Sequence, residues 1–213
     1  ELKKGDRIVL YGNSFVERLQ ENGFFEASLQ LANPDKDLEF RSLAWTGDEV
    51  GYRLRPERYV NHLKKLLEQW PANIVILGFG MNESFGGELG LAKFRSDLEG
   101  YLNEIERRHP EAKIVLLSPI ATEDLKHPHF PDPKKRNAEL RAYVGTMEKV
   151  TTERKVRFVD LFTPSAEAYA RHAEPLTDNG IHLNATGYKW IASHLARELL
   201  GESGYAKVEP SRA

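Results

Sequence analysis

There is no cysteine among the 213 residues, which excludes a disulfide framework, a thiolate metal site and a cysteine nucleophile. The compartment stays open, because secreted proteins need no disulfides. A basic excess is missing too. Thirty Lys and Arg face 32 Asp and Glu, a formal charge of -2, whereas nucleic-acid-binding domains ordinarily carry a positive surplus. No apolar run approaches the length of a membrane-spanning helix. What is there is an ordinary globular balance, 40% apolar and 29% charged, at a length suited to one sizeable domain. The chain opens on Glu1 rather than Met, as expected of a processed protein or a segment of a longer one.

Five short apolar runs read as strands: RIVLY (7–11), LEFRSLA (38–44), NIVILGF (73–79), KIVLLS (113–118) and VRFVDLF (156–162). They are rich in Val, Ile and Leu, and three lack alternation, as strands buried on both faces do. Elsewhere apolar residues keep a three-and-four spacing: Leu91, Phe94, Leu98, Tyr101, Leu102 and Ile105, then Leu140, Tyr143, Val144 and Met147, then Ile191, Leu195 and Leu199. Such alternation predicts an α/β fold, a five-stranded parallel sheet covered by helices on both faces. Residues 119–136 are polar and proline-rich and read as a long surface loop. Residues 201–213 read as a tail or linker, leaving 1–200 as the domain. Ligands of such sheets bind beyond the carboxyl ends of the strands. GNSF (12–15), WTGDE (45–49), GMNES (80–84), the 119–136 loop and the approach to His182 should therefore share one rim.

Each of these segments admits a structural and a chemical reading. Ser14 at a helix start would sit in the partial positive charge that favours an alkoxide and an oxyanion, yet Ser14 and Glu17 also spell a capping box. Gly47 can present a bare N–H, while Thr46 and Glu49 spell a second capping box. Asn82 can donate to an oxyanion or close an Asx turn. His182 follows a turn-rich run and precedes a helical pattern. His62, His109 and His194 fall in or beside helical patterns and read as surface or boundary residues. His127 and His129 lack a spaced third ligand, so no metal is expected.

Together, in this order, these segments resemble the SGNH hydrolase family, also called GDSL esterases and lipases. The resemblance spans residues 5–200, and the HLNATGY run after His182 resembles the family's closing block. GNSFVERLQ, GFGMNESFGG and TDNGIHL further resemble GDSL domains of planctomycete-type multidomain proteins. The resemblance implies a three-layer flavodoxin-like fold and serine-based ester hydrolysis without metal or organic cofactor. Ser14 would be the nucleophile and His182 the base. The Ser14 N–H, the Gly47 N–H and the Asn82 amide would form the oxyanion hole.

Two positions depart from the family, both with Asn for Asp. The first block reads Gly12-Asn13-Ser14 where the family has G-D-S. The family's acid lies three residues before the histidine, where this chain has Asn179, with Asp178 one step earlier. Three arrangements follow: Asp178 reaches the ring through a turn eased by Gly180, Asn179 takes the acid's place, or a backbone carbonyl orients a Ser–His dyad. The first is preferred here, since it keeps a charge beside the base. The expected function is an O-acyl esterase acting on acetyl groups of a carbohydrate, with Trp45, Phe79, Phe85, Phe130 and Tyr169 as candidate sugar-stacking rings or plain core. A lipid or thioester hydrolase and a weakened glycan-binding module are the competing readings. Small acyl esters or acylated glycans are the expected partners, without nucleic acid or membrane span. Further domains and an extracytoplasmic location are also expected.

Overall fold

Valine, isoleucine and leucine in unbroken runs make strands that must be covered on both sides, and the computed structural model shows this for three of its five strands. It describes residues 2–51, 70–130, 132–201 and 205. Strands β1 (Arg7–Gly12), β2 (Glu39–Ser42), β3 (Ile74–Gly78), β4 (Lys113–Leu117) and β5 (Val156–Val159) form one sheet of order β2-β1-β3-β4-β5. Every pairing is parallel. Helices α1 (Ser14–Asn22), α2 (Phe24–Ala32), α3 (Gly87–Arg108), α4 (Pro133–Thr152), α5 (Phe162–Arg171) and α6 (Ala185–Leu200) complete the described residues, with a 3-10 turn at Glu83–Gly86. The expected 201–213 tail lies outside them apart from Gly201 and Tyr205, and so does His62.

Alternate side chains of the three central strands feed two cores. Ile8, Leu10, Ile74, Ile76, Val115 and Leu117 pack with Val16, Leu19, Leu29, Ile191 and Leu195 of α1, α2 and α6. Val9, Val75, Leu77, Ile114 and Leu116 pack with Phe94, Leu98, Leu102, Tyr143 and Met147 of α3 and α4. The result is the expected three-layer α/β/α arrangement. β1 and β3 are the neighbours at which strand order reverses, so a crevice opens beyond their carboxyl ends.

Three expectations change in detail. The run 156–162 is not one strand: the Asp160 carboxylate accepts from the Phe162 and Thr163 amides at 2.8 and 3.2 Å, which turns the chain into α5. The 119–136 loop is not wholly a surface loop. Pro119 to Glu123 are buried, and Asp132 caps α4 through the Lys134 amide with Pro133 following it. His109, read as a surface or boundary residue, caps the end of α3 and is buried there.

Candidate active site

β1 runs straight into α1 through Gly12 and Asn13. Gly12 and Gly78 are register partners, and a Cβ on Gly12 would stand 2.5 Å from the Gly78 carbonyl oxygen. Absence of that Cβ lets the two strand ends close up. The buried Asn13 caps α1, its Oδ1 accepting from the Phe15 amide at 3.2 Å while its own amide donates to the Gly78 carbonyl. Ser14 is therefore the first helical residue, and the expected Ser14–Glu17 capping box does not form. A first-turn amide has no intrahelical acceptor, which leaves the Ser14 N–H available where the helix is positive. Glu17 instead accepts the Thr46 hydroxyl. Thr46 starts no helix, so its capping box with Glu49 is absent as well.

This pairing ties the α1 start to the segment after β2. The Trp45 amide also donates to the Gly12 carbonyl at 2.9 Å. Gly47 is exposed at φ +84, a conformation that suits glycine. Asn82 does not close an Asx turn: its Nδ2 reaches across to the Asp48 carbonyl at 3.1 Å. Beside it the Glu83 carboxylate accepts from the Gly80 amide at 2.8 Å and the Val50 amide at 2.9 Å. Burial pushes that carboxyl up to about 6 against the two amide bonds. Glu83 thus holds two rim segments together.

The His182 loop is a tight hairpin. Thr177 bridges Leu183, the Asp178 amide donates to the His182 carbonyl at 2.8 Å, and Gly180 turns at φ +84. The Asn179 Oδ1 accepts from the Ile181 and His182 amides at 3.1 and 2.9 Å. Its Nδ2 then lies 3.0 Å from His182 Nδ1. Asp178 is exposed, and among the described residues its side chain makes no hydrogen bond to the ring. So the side chain that meets the ring is that of Asn179, not Asp178, because the turn uses residue 179 to accept the amides that follow. Burial, chiefly, and then the Arg18 guanidinium hold the imidazole below its ordinary value, while the Asp178 charge opposes them.

Residues missed from the sequence anchor this loop. The buried Glu123 carboxylate accepts from the Leu176 amide, from the Thr177 amide at 2.7 Å and from the Thr177 hydroxyl at 2.6 Å. Ser118 anchors a different segment, the start of α5, accepting from the Leu161 and Phe162 amides at 2.8 and 3.1 Å. The polar composition of residues 119–136 was the only signal for Glu123, and it points equally to solvent.

Asn13, Ser14, Asn82, Ser118 and His182 line one cleft with apolar walls that include Phe15, Met81 and Ile120. Gly47 does not line it, although Asn82 is bonded to the residue after Gly47. Ser14 and His182 share the cleft, and among the described residues no hydrogen bond joins them. Apo sites often tighten only with substrate. The cleft is thus equipped with a hydroxyl at a helix start, a side-chain amide and an imidazole, the parts needed for acyl transfer. Of the proposed sugar-stacking rings, Phe79 is buried core, whereas Trp45 and Phe85 are 46% and 57% exposed and Phe130 is 36% exposed. Among the described residues no group of three or more His, Asp or Glu is placed to hold a metal ion, and no helix is long and apolar enough to cross a membrane.

Solved structures share this architecture. A catalytic mutant of an acetylxylan esterase from Geobacillus stearothermophilus superposes with a TM-score of 0.71 at 15% identity, over 93% of this chain and 95% of that one. A gut microbial diltiazem-metabolizing enzyme gives 0.71 at 18% identity over 95% of this chain, which spans 49% of that protein. An acetyl xylan esterase, AlAXEase, gives 0.68 at 15% identity over 91% of this chain and 99% of that one. At these identities the likeness shows the fold. Comparison with curated proteins gives no match. The model of the GDSL-like lipase/acylhydrolase family matches residues 10–190, from the middle of β1 into α6. The chain therefore belongs to the GDSL-like lipase/acylhydrolase family and is a carboxylic ester hydrolase by that membership.

Proposed function

We propose that this protein is a serine esterase that removes short O-acyl groups, acetyl above all, from a carbohydrate. The observation that carries the reading is the single cleft lined by Ser14 at the start of α1, the Asn82 amide and His182. Ser14 Oγ attacks the acyl carbon and its proton passes to His182 Nε2. The developing oxyanion meets the Ser14 N–H and the Asn82 Nδ2, the two donors that line the cleft. Collapse breaks the acyl C–O bond, and the alkoxide leaves as an alcohol with the proton held by His182. Water then cleaves the acyl-serine by the same steps in reverse.

Two features support a short acyl group on a sugar. Phe15, Met81 and Ile120 line the same cleft as Ser14. Trp45 is 46% exposed, and its amide is bonded to Gly12 of the strand that leads to Ser14. Two structural neighbours are named as acetylxylan esterases. The proposal extends to a place within a larger multidomain protein, as the sequence resemblance implies.

A second reading is favoured by the Asn179 contact. An amide on the ring cannot compensate an imidazolium, which suits a glycan-binding module of weak turnover. Labelling with a fluorophosphonate probe separates the two. Covalent capture of the wild type that vanishes in Ser14→Ala supports the esterase, and absent capture in the wild type supports the binding module. A 4-nitrophenyl ester series from acetyl to decanoyl tests the acyl group: activity that rises with chain length sinks the acetyl assignment.

A further inference from the structure

We infer that Asn179 holds His182 in the tautomer with its proton on Nε2, so that the resting ring offers the cleft a hydrogen-bond donor rather than a base. The inference deepens the esterase reading and rests on it for its effect on rate. The tautomer itself stands on geometry.

The orientation of the Asn179 amide is fixed by its neighbours. Oδ1 accepts from two backbone amides, those of Ile181 and His182, at 3.1 and 2.9 Å. A flipped amide would lose both bonds and set its NH2 against two N–H groups. The group 3.0 Å from His182 Nδ1 is therefore Nδ2, which only donates. A donor aimed at Nδ1 requires a lone pair there, and a neutral imidazole with a bare Nδ1 carries its proton on Nε2. The charged groups that bear on the ring are Arg18 of α1 and Asp178 of the same hairpin. Asp178 is exposed and bonds neither ring nitrogen, so nothing from it restores a proton to Nδ1.

Proton transfer from Ser14 needs a bare Nε2. That state requires the imidazole proton on Nδ1, against the N–H of Asn179, so it is the minor tautomer. Turnover in the wild type runs through that minor form, and Asn179 sets the rate as a positioning residue. Asn179→Asp is isosteric. Its Oδ1 keeps both backbone bonds, its Oδ2 accepts from Nδ1–H, and Nε2 becomes bare. The exchange of Asp for Asn in this role costs about ten-thousandfold in kcat in a well-studied serine protease. The reverse exchange here is expected to raise kcat by about a thousandfold or more.

The test is nitrogen-15 NMR of the His182 ring, assigned with His182→Ala, above the pH at which the ring titrates. The expected wild-type spectrum has Nε2 protonated and Nδ1 bare. Asn179→Asp should reverse the two and move the titration midpoint upward, because the new carboxylate favours the imidazolium. A wild type with Nδ1 protonated overturns the inference, as does an unchanged tautomer in Asn179→Asp. The wild-type spectrum is decisive even if that variant does not fold. Hydrolysis of 4-nitrophenyl acetate is measured alongside, with Ser14→Ala in the Asn179→Asp background expected to abolish the gain. If the tautomer reverses while neither protein hydrolyses ester nor captures fluorophosphonate, the tautomer assignment holds and the esterase reading fails.

Discussion

The carboxylate of Glu123, just beyond β4, grips Thr177 twice, accepting its amide at 2.7 Å and its hydroxyl at 2.6 Å. Both residues are buried, so these bonds replace water at a site that has none to spare. Because Thr177 opens the hairpin that carries His182, a residue of one loop fixes the imidazole of another. Glu123→Ala leaves two buried amides and a hydroxyl without an acceptor and is expected to cost about 3 kcal/mol. Glu123→Gln keeps an acceptor and should cost roughly half as much. Urea denaturation reads both, and equal stabilities for the two variants would contradict the role of the acceptor.

Gly12 and Gly78 make a second constraint. A Cβ on Gly12 would lie 2.5 Å from the Gly78 oxygen and 2.6 Å from Val16 Cγ2, neither of which is the far end of a flexible chain. Gly12→Ala must push α1 away from β3 and is expected to cost about 1–3 kcal/mol. It also moves Ser14, so kcat should fall more than the melting temperature alone would suggest. Gly100→Ala, where nothing lies within 4 Å of the added carbon, serves as the control and should be neutral or slightly stabilising within α3.

The three central strands are legible because unbroken Val, Ile and Leu runs admit few other structures, and their ends point to the rim on which Ser14, Asn82 and His182 are found. What escaped was decided at long range. Nothing near Glu17 in sequence reveals Thr46 as its partner, and that bond plus the Asn13 cap displace the capping box that Ser14 and Glu17 spell. Glu83 and Glu123 bind amides 33 and 54 residues away, so their roles are invisible in a local reading. The choice between Asp178 and Asn179 was visible as a choice. Only the hairpin geometry shows which side chain accepts the turn amides and so ends beside the ring.

Asn82 offers one amide hydrogen to the Asp48 carbonyl and has a second for the cleft. Asn82→Ala is expected to lower kcat for 4-nitrophenyl acetate about a hundredfold or more, with KM changed far less, because an oxyanion donor acts in the transition state. Asn82→Asp, similar in shape but without donors, should be at least as poor. A pure rise in KM would assign Asn82 to substrate binding instead.

Glu83 makes stability depend on pH. Its folded value of about 6 lies above the ordinary 4.5, so the folded state binds its proton more tightly than the unfolded chain does. The stabilisation from protonated Glu83 is full below about pH 4.5 and is lost as pH rises through about 6. The raised value corresponds to about 2 kcal/mol. Glu83→Gln, which does not titrate, should lack this component. The difference in unfolding free energy, variant minus wild type, is therefore expected to grow between pH 4.5 and 7, and a flat difference would show that the carboxyl is not perturbed.

Burial holds the His182 imidazole below its ordinary value, and Arg18 and Asp178 then pull in opposite directions, Arg18 lowering it and Asp178 raising it. The acid limb of kcat/KM reports the free enzyme's base, so it should lie below the ordinary histidine range. Removing the cation in Arg18→Gln favours the imidazolium and moves that limb to higher pH. Removing the anion in Asp178→Asn disfavours it and moves the limb lower. Since Asp178 acts by charge alone, with no bond to the ring, its effect should shrink as salt screens it. A limb that stays put in Asp178→Asn while kcat collapses at every pH would instead make Asp178 the acid of the triad. That outcome would require the hairpin to rearrange on substrate binding, since His182 Nδ1 is occupied by Asn179.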